Sequence, residues 1–204
     1  MNKIITVGRQ FGSGGREFGK RLAEELGYAY YDREIMQEIA KRTQLAEEYI
    51  RQIVEQRPSY HFPITVGRTL HGGTSDFLMH QQTSVYAEQV NTLREMAKTS
   101  DCVIVGCCAD YILRDLKPTR IFIYADMEAR TERCRNRGGE EASLSDKQLK
   151  RKILSVDRNR GKYYRYYTGQ VWGNRNNYDF CINTSHTVIK SAAHALAVMM
   201  QSDQ

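Results

Sequence analysis

Several things are missing from this chain of 204 residues, and each absence narrows it. No apolar stretch approaches the roughly 20 residues that a membrane-spanning helix needs, so a membrane partner is not expected. The five cysteines form no C-x-x-C pair and no zinc-type Cys/His spacing, which excludes a disulfide framework and a structural zinc site as organising principles. Cys102, Cys107, Cys108 and Cys181 sit within apolar runs and read as reduced core thiols. Neither internal repeats nor low-complexity tracts are present, and the first residues lead directly into a strand pattern without a secretory signal. A cytoplasmic protein is the expectation. Acidic residues are also in the minority: 30 Lys and Arg against 24 Asp and Glu give a net charge of +6. That balance suits anionic ligands such as nucleotides or nucleic acid, although a solvated basic surface produces it equally well.

What is present points to a globular α/β domain. Hydrophobic residues make up 41% of the chain, enough for a sizeable core. Short apolar runs rich in β-branched residues predict strands at 3–7, 102–106, 120–125 and 180–184, with "YAYY" at 28–31 as a further candidate. Helical patterns separate them at 17–26, 32–41, 84–98, 127–137, 145–163 and 188–200. Such alternation predicts a three-layer, doubly wound parallel sheet with ligands at the carboxyl ends of its strands. Residues 57–82 break the rhythm. They hold two of the three prolines and the histidines His61, His71 and His80, and they read as a mobile loop insertion. His71 and His80 are formal metal-ligand candidates beside the simpler reading of exposed loop histidines.

The stretch "VGRQFGSGGREFGKRLAEELG" resembles a phosphate-binding loop without a working G-x-x-x-x-G-K-[ST] signature. Two registers compete. A literal match begins at Gly14 and uses Lys20, but it leaves under two helical turns before Gly27. The alternative places the turn at "FGSGG" and starts the helix near Arg16. Phe18, Leu22 and Leu26 then form one i, i+4, i+8 stripe, and Gly27 becomes the terminator. Periodicity favours the second. In that register Gly12, Ser13, Gly14 and Gly15 present backbone N–H groups to an anion at a helix N-terminus. Arg16 stands next to the usual lysine position, and Glu17 occupies that of the magnesium-binding hydroxyl. The same glycines would also serve a plain strand-to-helix connection.

Longer segments carry a resemblance. "LAEELGYAYYD", "CVIVGCCADYIL", "IFIYADMEARTERCR" and "VDRNRGKYYRYYTGQVWGNRNNYDFCINTS" occur in the order found in the cytidylate kinase-like family, a nucleoside monophosphate kinase branch of the P-loop NTPases. The chain is identified as a member of it. The resemblance implies one domain over 1–204, with 33–100 as an acceptor-binding helical insertion and 127–163 as a lid. It implies transfer of the ATP γ-phosphate to CMP, dCMP or a related nucleotide, assisted by Mg2+. Residues 12–16 match the phosphate loop, Asp32 the acceptor-side Asp, and Asp110 and Cys107 the segment after the third predicted strand. Arg130, Arg133, Arg158 and Arg160 match basic positions expected to converge on phosphates.

Local alternatives accompany these roles. Asp32 suits an N-cap, Arg130 and Arg133 share a solvated helix face with Arg137, and the aromatics from Tyr163 to Trp172 suit packing. Cys107 stands where the family pattern has arginine, removing a charged contact of about 1.5–3 kcal/mol if that arginine meets phosphate. A catalytically weakened nucleotide-binding regulator is therefore the second reading. Nucleic-acid binding through "RNRGKYYRYY", where basic residues interleave with aromatics, is the third.

Overall fold

The computed structural model describes residues 2–55, 73–106 and 108–202. Strands β1 (Ile4–Arg9), β2 (Ala29–Tyr31), β3 (Cys102–Val105), β4 (Thr119–Tyr124) and β5 (Phe180–Asn183) form one sheet in the order β2-β3-β1-β4-β5. Every neighbouring pair is parallel. Alternation within the strands explains the layers. Ile4, Cys102 and Ile104 face one core, while Ile5, Val7, Val103 and Val105 face the other. Helices α1 (Gly15–Leu26) and α8 (Ile189–Ser202) cover the second face through Phe18, Leu22, Ala193 and Leu196. The first is covered by α2 (Arg33–Thr43), α3 (Glu47–Glu55), α4 (Gly73–Thr99), α5 (Ala109–Ile112) and α7 (Asp146–Thr168). Helix α6 (Met127–Arg137) joins α7 in a small core of Cys134, Leu149 and Ile153. The three-layer α/β fold matches the expectation.

Helix α1 has the expected register. Phe18 and Leu22 are fully buried, each worth about 1.5–3 kcal/mol of apolar transfer. Gly27 closes the helix at φ +70°, where a side chain would be strained.

Three expectations need correction. The insertion is not a loop throughout: α4 starts at Gly73 rather than near residue 84. Helix α3 falls within the helical insertion that the resemblance implies but is absent from the helices expected from periodicity. Its nine residues are too short to signal themselves, and they are anchored by the fully buried Ile50. Third, Cys181 is exposed, unlike Cys102, Cys108 and Cys134, because β5 is an edge strand whose residues alternate outward. Cys107, His61 and His71 lie outside the described residues. His80 belongs to α4, and no group of His, Cys, Asp or Glu among the described residues could hold a metal.

Candidate functional site

The carboxyl end of β1 runs into the glycine turn, and both conformation and crowding there demand glycine. Gly12 and Gly14 have φ +79° and +80°. A Cβ on Gly12 would lie 2.8 Å from the Arg130 carbonyl oxygen, and one on Gly14 would lie 2.2 Å from Ile189 Cδ1. Gly15 opens α1 so close to β1 that its Cβ would meet Arg9 Cβ at 2.4 Å. Ser13 turns inward, its hydroxyl donating to the Gln10 carbonyl at 2.9 Å. The turn thus presents backbone, not side chains, to an open cleft.

Around that cleft stand four arginines: Arg9, Arg16, Arg137 and Arg160. Arg16 emerges from the first turn of α1, and its Nε donates to Asp32 Oδ2 at 2.8 Å. Asp32, at the end of β2, makes no side-chain capping bond to α2; it is buried and shared with Arg9, whose Nη2 lies 3.7 Å from Oδ1. The N-cap reading of Asp32 is therefore replaced by that of a shared counter-ion. Beneath them, burial beside Asp32 pushes the Tyr30 hydroxyl up to about 12, so it stays a neutral donor to the Arg16 carbonyl. Arg160 reaches back from α7, donating to the Arg9 carbonyl at 3.3 Å with its guanidinium 5.8 Å from the Phe11 ring.

Two other expected arginines lie behind the loop. Arg130 is buried, donates to the Phe11 carbonyl at 2.7 Å and pairs with Asp157. Asp157 also accepts from the Phe11 N–H at 2.8 Å, so this pair clamps the turn to α6 and α7. Burial outweighs these contacts and holds the Asp157 carboxyl above its ordinary range. Arg133 donates to the Thr184 carbonyl, while the Thr184 hydroxyl donates to the Ser13 carbonyl at 2.7 Å. Arg158 is exposed on α7 and is not among the residues lining the cleft. Nor is Glu17, which pairs with Arg21 at 2.8 Å on the outer face of α1; Lys20 points outward with it, 3.9 Å from Glu24. Asp110 sits in α5, apart from the loop, accepting the Tyr164 hydroxyl at 2.6 Å; burial raises its carboxyl.

Arg9, Arg137 and Asp157 were missed as site residues by sequence reasoning. Arg9 carried a readable signal: a cation ending an apolar parallel strand stands where such sheets bind ligands. Asp157 carried none, since its partners are 146 and 27 residues away.

The glycine turn ringed by arginines lies at the end of the central strand, and the model of the cytidylate kinase-like family matches residues 4–186 of the chain. The chain belongs to the cytidylate kinase-like family. Among solved structures, a protein from Eubacterium ventriosum is similar at 24% identity and a TM-score of 0.70, over 98% of this chain and 99% of that one. A shikimate kinase from Bacteroides thetaiotaomicron aligns at 14% identity and a TM-score of 0.58, over 98% of both chains. The shikimate kinase from Acinetobacter baumannii in complex with shikimate gives 16% and 0.54, over 100% of this chain and 95% of that one. No curated protein matches. These likenesses establish the fold, and membership of the family supports a phosphotransferase of the nucleotide or small-molecule kinase type. None of its described helices is long and apolar enough to cross a membrane.

Magnesium fits this cleft only as part of a nucleotide complex. Among the described residues the nearby carboxylates are already committed: Asp32 to Arg16 and Arg9, Asp157 to Arg130 and Phe11, Glu17 to Arg21. Mg2+ commonly keeps its waters and binds through substrate phosphates, so these residues would meet it through a bound nucleotide.

Proposed function

We propose that this cytidylate kinase-like protein transfers the γ-phosphate of ATP to a nucleoside monophosphate, with CMP or dCMP as the leading acceptor, in the cytoplasm. The observation that carries the reading is the convergence of Arg9, Arg16, Arg137 and Arg160 on the glycine turn. Phosphoryl transfer needs little covalent participation by the protein; it needs aligned oxygens and compensated charge. In this reading the N–H groups of residues 12–16 cradle the donor phosphates. Arg16 exchanges part of its contact with Asp32 for a phosphate, and Asp32 faces the acceptor. Arg130 and Arg133 hold the turn in shape from behind. Residues 33–100 form the acceptor side, and 127–163, carrying Arg137, Arg158 and Arg160, close as a lid.

A coupled assay of ADP release over a panel of nucleoside monophosphates, with shikimate as a further acceptor, tests the proposal. Turnover with CMP or dCMP above the others is the expected result. Turnover with shikimate alone would move the acceptor out of the nucleotide class, and no turnover with any acceptor despite ATP binding would defeat the kinase reading.

One observation favours a second reading, the weakened regulator: the loop has no lysine, and Arg16, the cation that follows its glycines, is engaged by Asp32 at 2.8 Å. Calorimetry showing tight nucleotide binding without turnover would support it. Nucleic-acid stacking is not favoured. Tyr163 and Tyr164 are buried, and Tyr167 stacks on Tyr86 with ring centroids 3.9 Å apart.

A further inference from the structure

We propose that Arg9 grips the phosphoryl group in transit and supplies the charge that a loop lysine would otherwise bring. The inference rests on the phosphotransferase reading above. Its first ground is position. Arg9 ends the central strand, between the glycine turn on the donor side and Asp32 on the other, and it lines the cleft.

Its second ground is rigidity. The Arg9 backbone is paired in register with Ile123 of β4, and its carbonyl accepts from Arg160. Its Cβ packs against Gly15, and the guanidinium lies against Gly106, where a Cβ would come within 1.7 Å of Nη1. Gly106, at φ +82°, keeps that space open.

The third ground is what Arg9 lacks. A guanidinium has five N–H donors. The Arg9 side chain is only 13% exposed, yet among the described residues its charged contact is Asp32 at 3.7 Å, beyond hydrogen-bond length. Asp32 gives its short contact to Arg16. By contrast Arg130 is bonded to Phe11 and Asp157, and Arg133 to Thr184. A largely buried cation with half a counter-ion is costly unless an anion completes it.

A phosphoryl group is the anion that belongs at this place. As the reaction proceeds, the bond from γ-phosphorus to the β–γ bridging oxygen breaks and a bond to an acceptor oxygen forms. ADP leaves with the electron pair. Arg9 stays protonated throughout and donates to the equatorial oxygens, where charge is spread. Asp32 positions both arginines before the nucleotide arrives.

Calorimetry of ATP and ADP binding to the full chain, with Arg9→Met and Arg9→Lys beside the wild type, tests this. Methionine keeps the apolar stem over Gly106, and lysine keeps the charge. The expected result is about tenfold weaker ATP binding by Arg9→Met, with ADP affinity within about twofold and a smaller ATP loss for Arg9→Lys. Where an acceptor is turned over, kcat falls by more than KM rises. Equal losses for ATP and ADP, no loss for Arg9→Met, or equal behaviour of the two variants would overturn the assignment while leaving the kinase reading intact. A wild-type protein that binds neither nucleotide would remove both.

Discussion

At the residue scale, the cleft depends on a division of labour between neighbours in sequence. Arg16 faces the glycine turn and Asp32, whereas Lys20, one turn further on, bridges outward to Glu24. Replacing Arg16 with Ala should weaken ATP binding at least tenfold, about 1.4 kcal/mol, while Lys20→Ala should change it less than about twofold. Calorimetric titration of both variants checks the ranking, and the reverse order would restore the literal G-x-x-x-x-G-K register. Gly12 is constrained differently. An alanine there would adopt a left-handed conformation at a cost of about 1–2 kcal/mol, and it would also meet the Arg130 carbonyl oxygen at 2.8 Å and Cys134 Sγ at 3.0 Å. Gly12→Ala should therefore lower the urea midpoint and ATP affinity together, because relieving the collision displaces the loop.

At the scale of elements, the phosphate loop has no shape independent of α6 and α7. The Arg130–Asp157 pair connects those helices and grips both polar groups of the Phe11 backbone. Phe11 adds its ring to the core of Cys134, Leu149 and Ile153. Removing one partner leaves a buried charge without compensation. Arg130→Met should cost about 3–5 kcal/mol of unfolding free energy by urea titration. The double variant Arg130→Met, Asp157→Leu should recover much of that stability without recovering ATP affinity, since the N–H of Phe11 then loses its acceptor. Equal affinity in the double variant and wild type would show that the clamp does not shape the loop. The same two helices carry Arg137 and Arg160, so the shape of the loop and the placement of these two arginines are mechanically linked.

At the scale of the whole molecule, the half-buried Asp110 ties α5 to α7 and makes stability pH-dependent. Burial raises its carboxyl above the unfolded value of about 3.9, even though the Tyr164 hydroxyl pulls the other way. Between those two values the native state holds a proton that the unfolded chain has released. Stability therefore falls as pH rises through that window, and the deficit persists above it. Asp110→Asn, whose amide oxygen can still accept from Tyr164, should raise the thermal midpoint at pH 7. The gain should shrink as pH drops toward 3, a trend that melting curves across that range would reveal.

Much of this protein could be read in one dimension. The five strands, the register of α1 and the glycine turn follow from local patterns: apolar runs, an i, i+4 stripe and a terminating glycine. Those signals are local because strand and helix periodicities arise from backbone geometry within a few residues. The helical insertion was harder to read: α3 is amphipathic, but nine residues are few for a periodicity signal, and its Ile50 packs into a core shared with distant elements. The site was least legible of all. Arg9 meets Arg160 across 151 positions, and Phe11 meets Asp157 across 146. Residue type alone could not separate the cations that ring the cleft from Arg130, which braces it, or Arg158, which is exposed. That distinction depends on strand order and helix packing, which bring remote parts of the chain together and determine which guanidinium is satisfied by protein and which is left open to an anion.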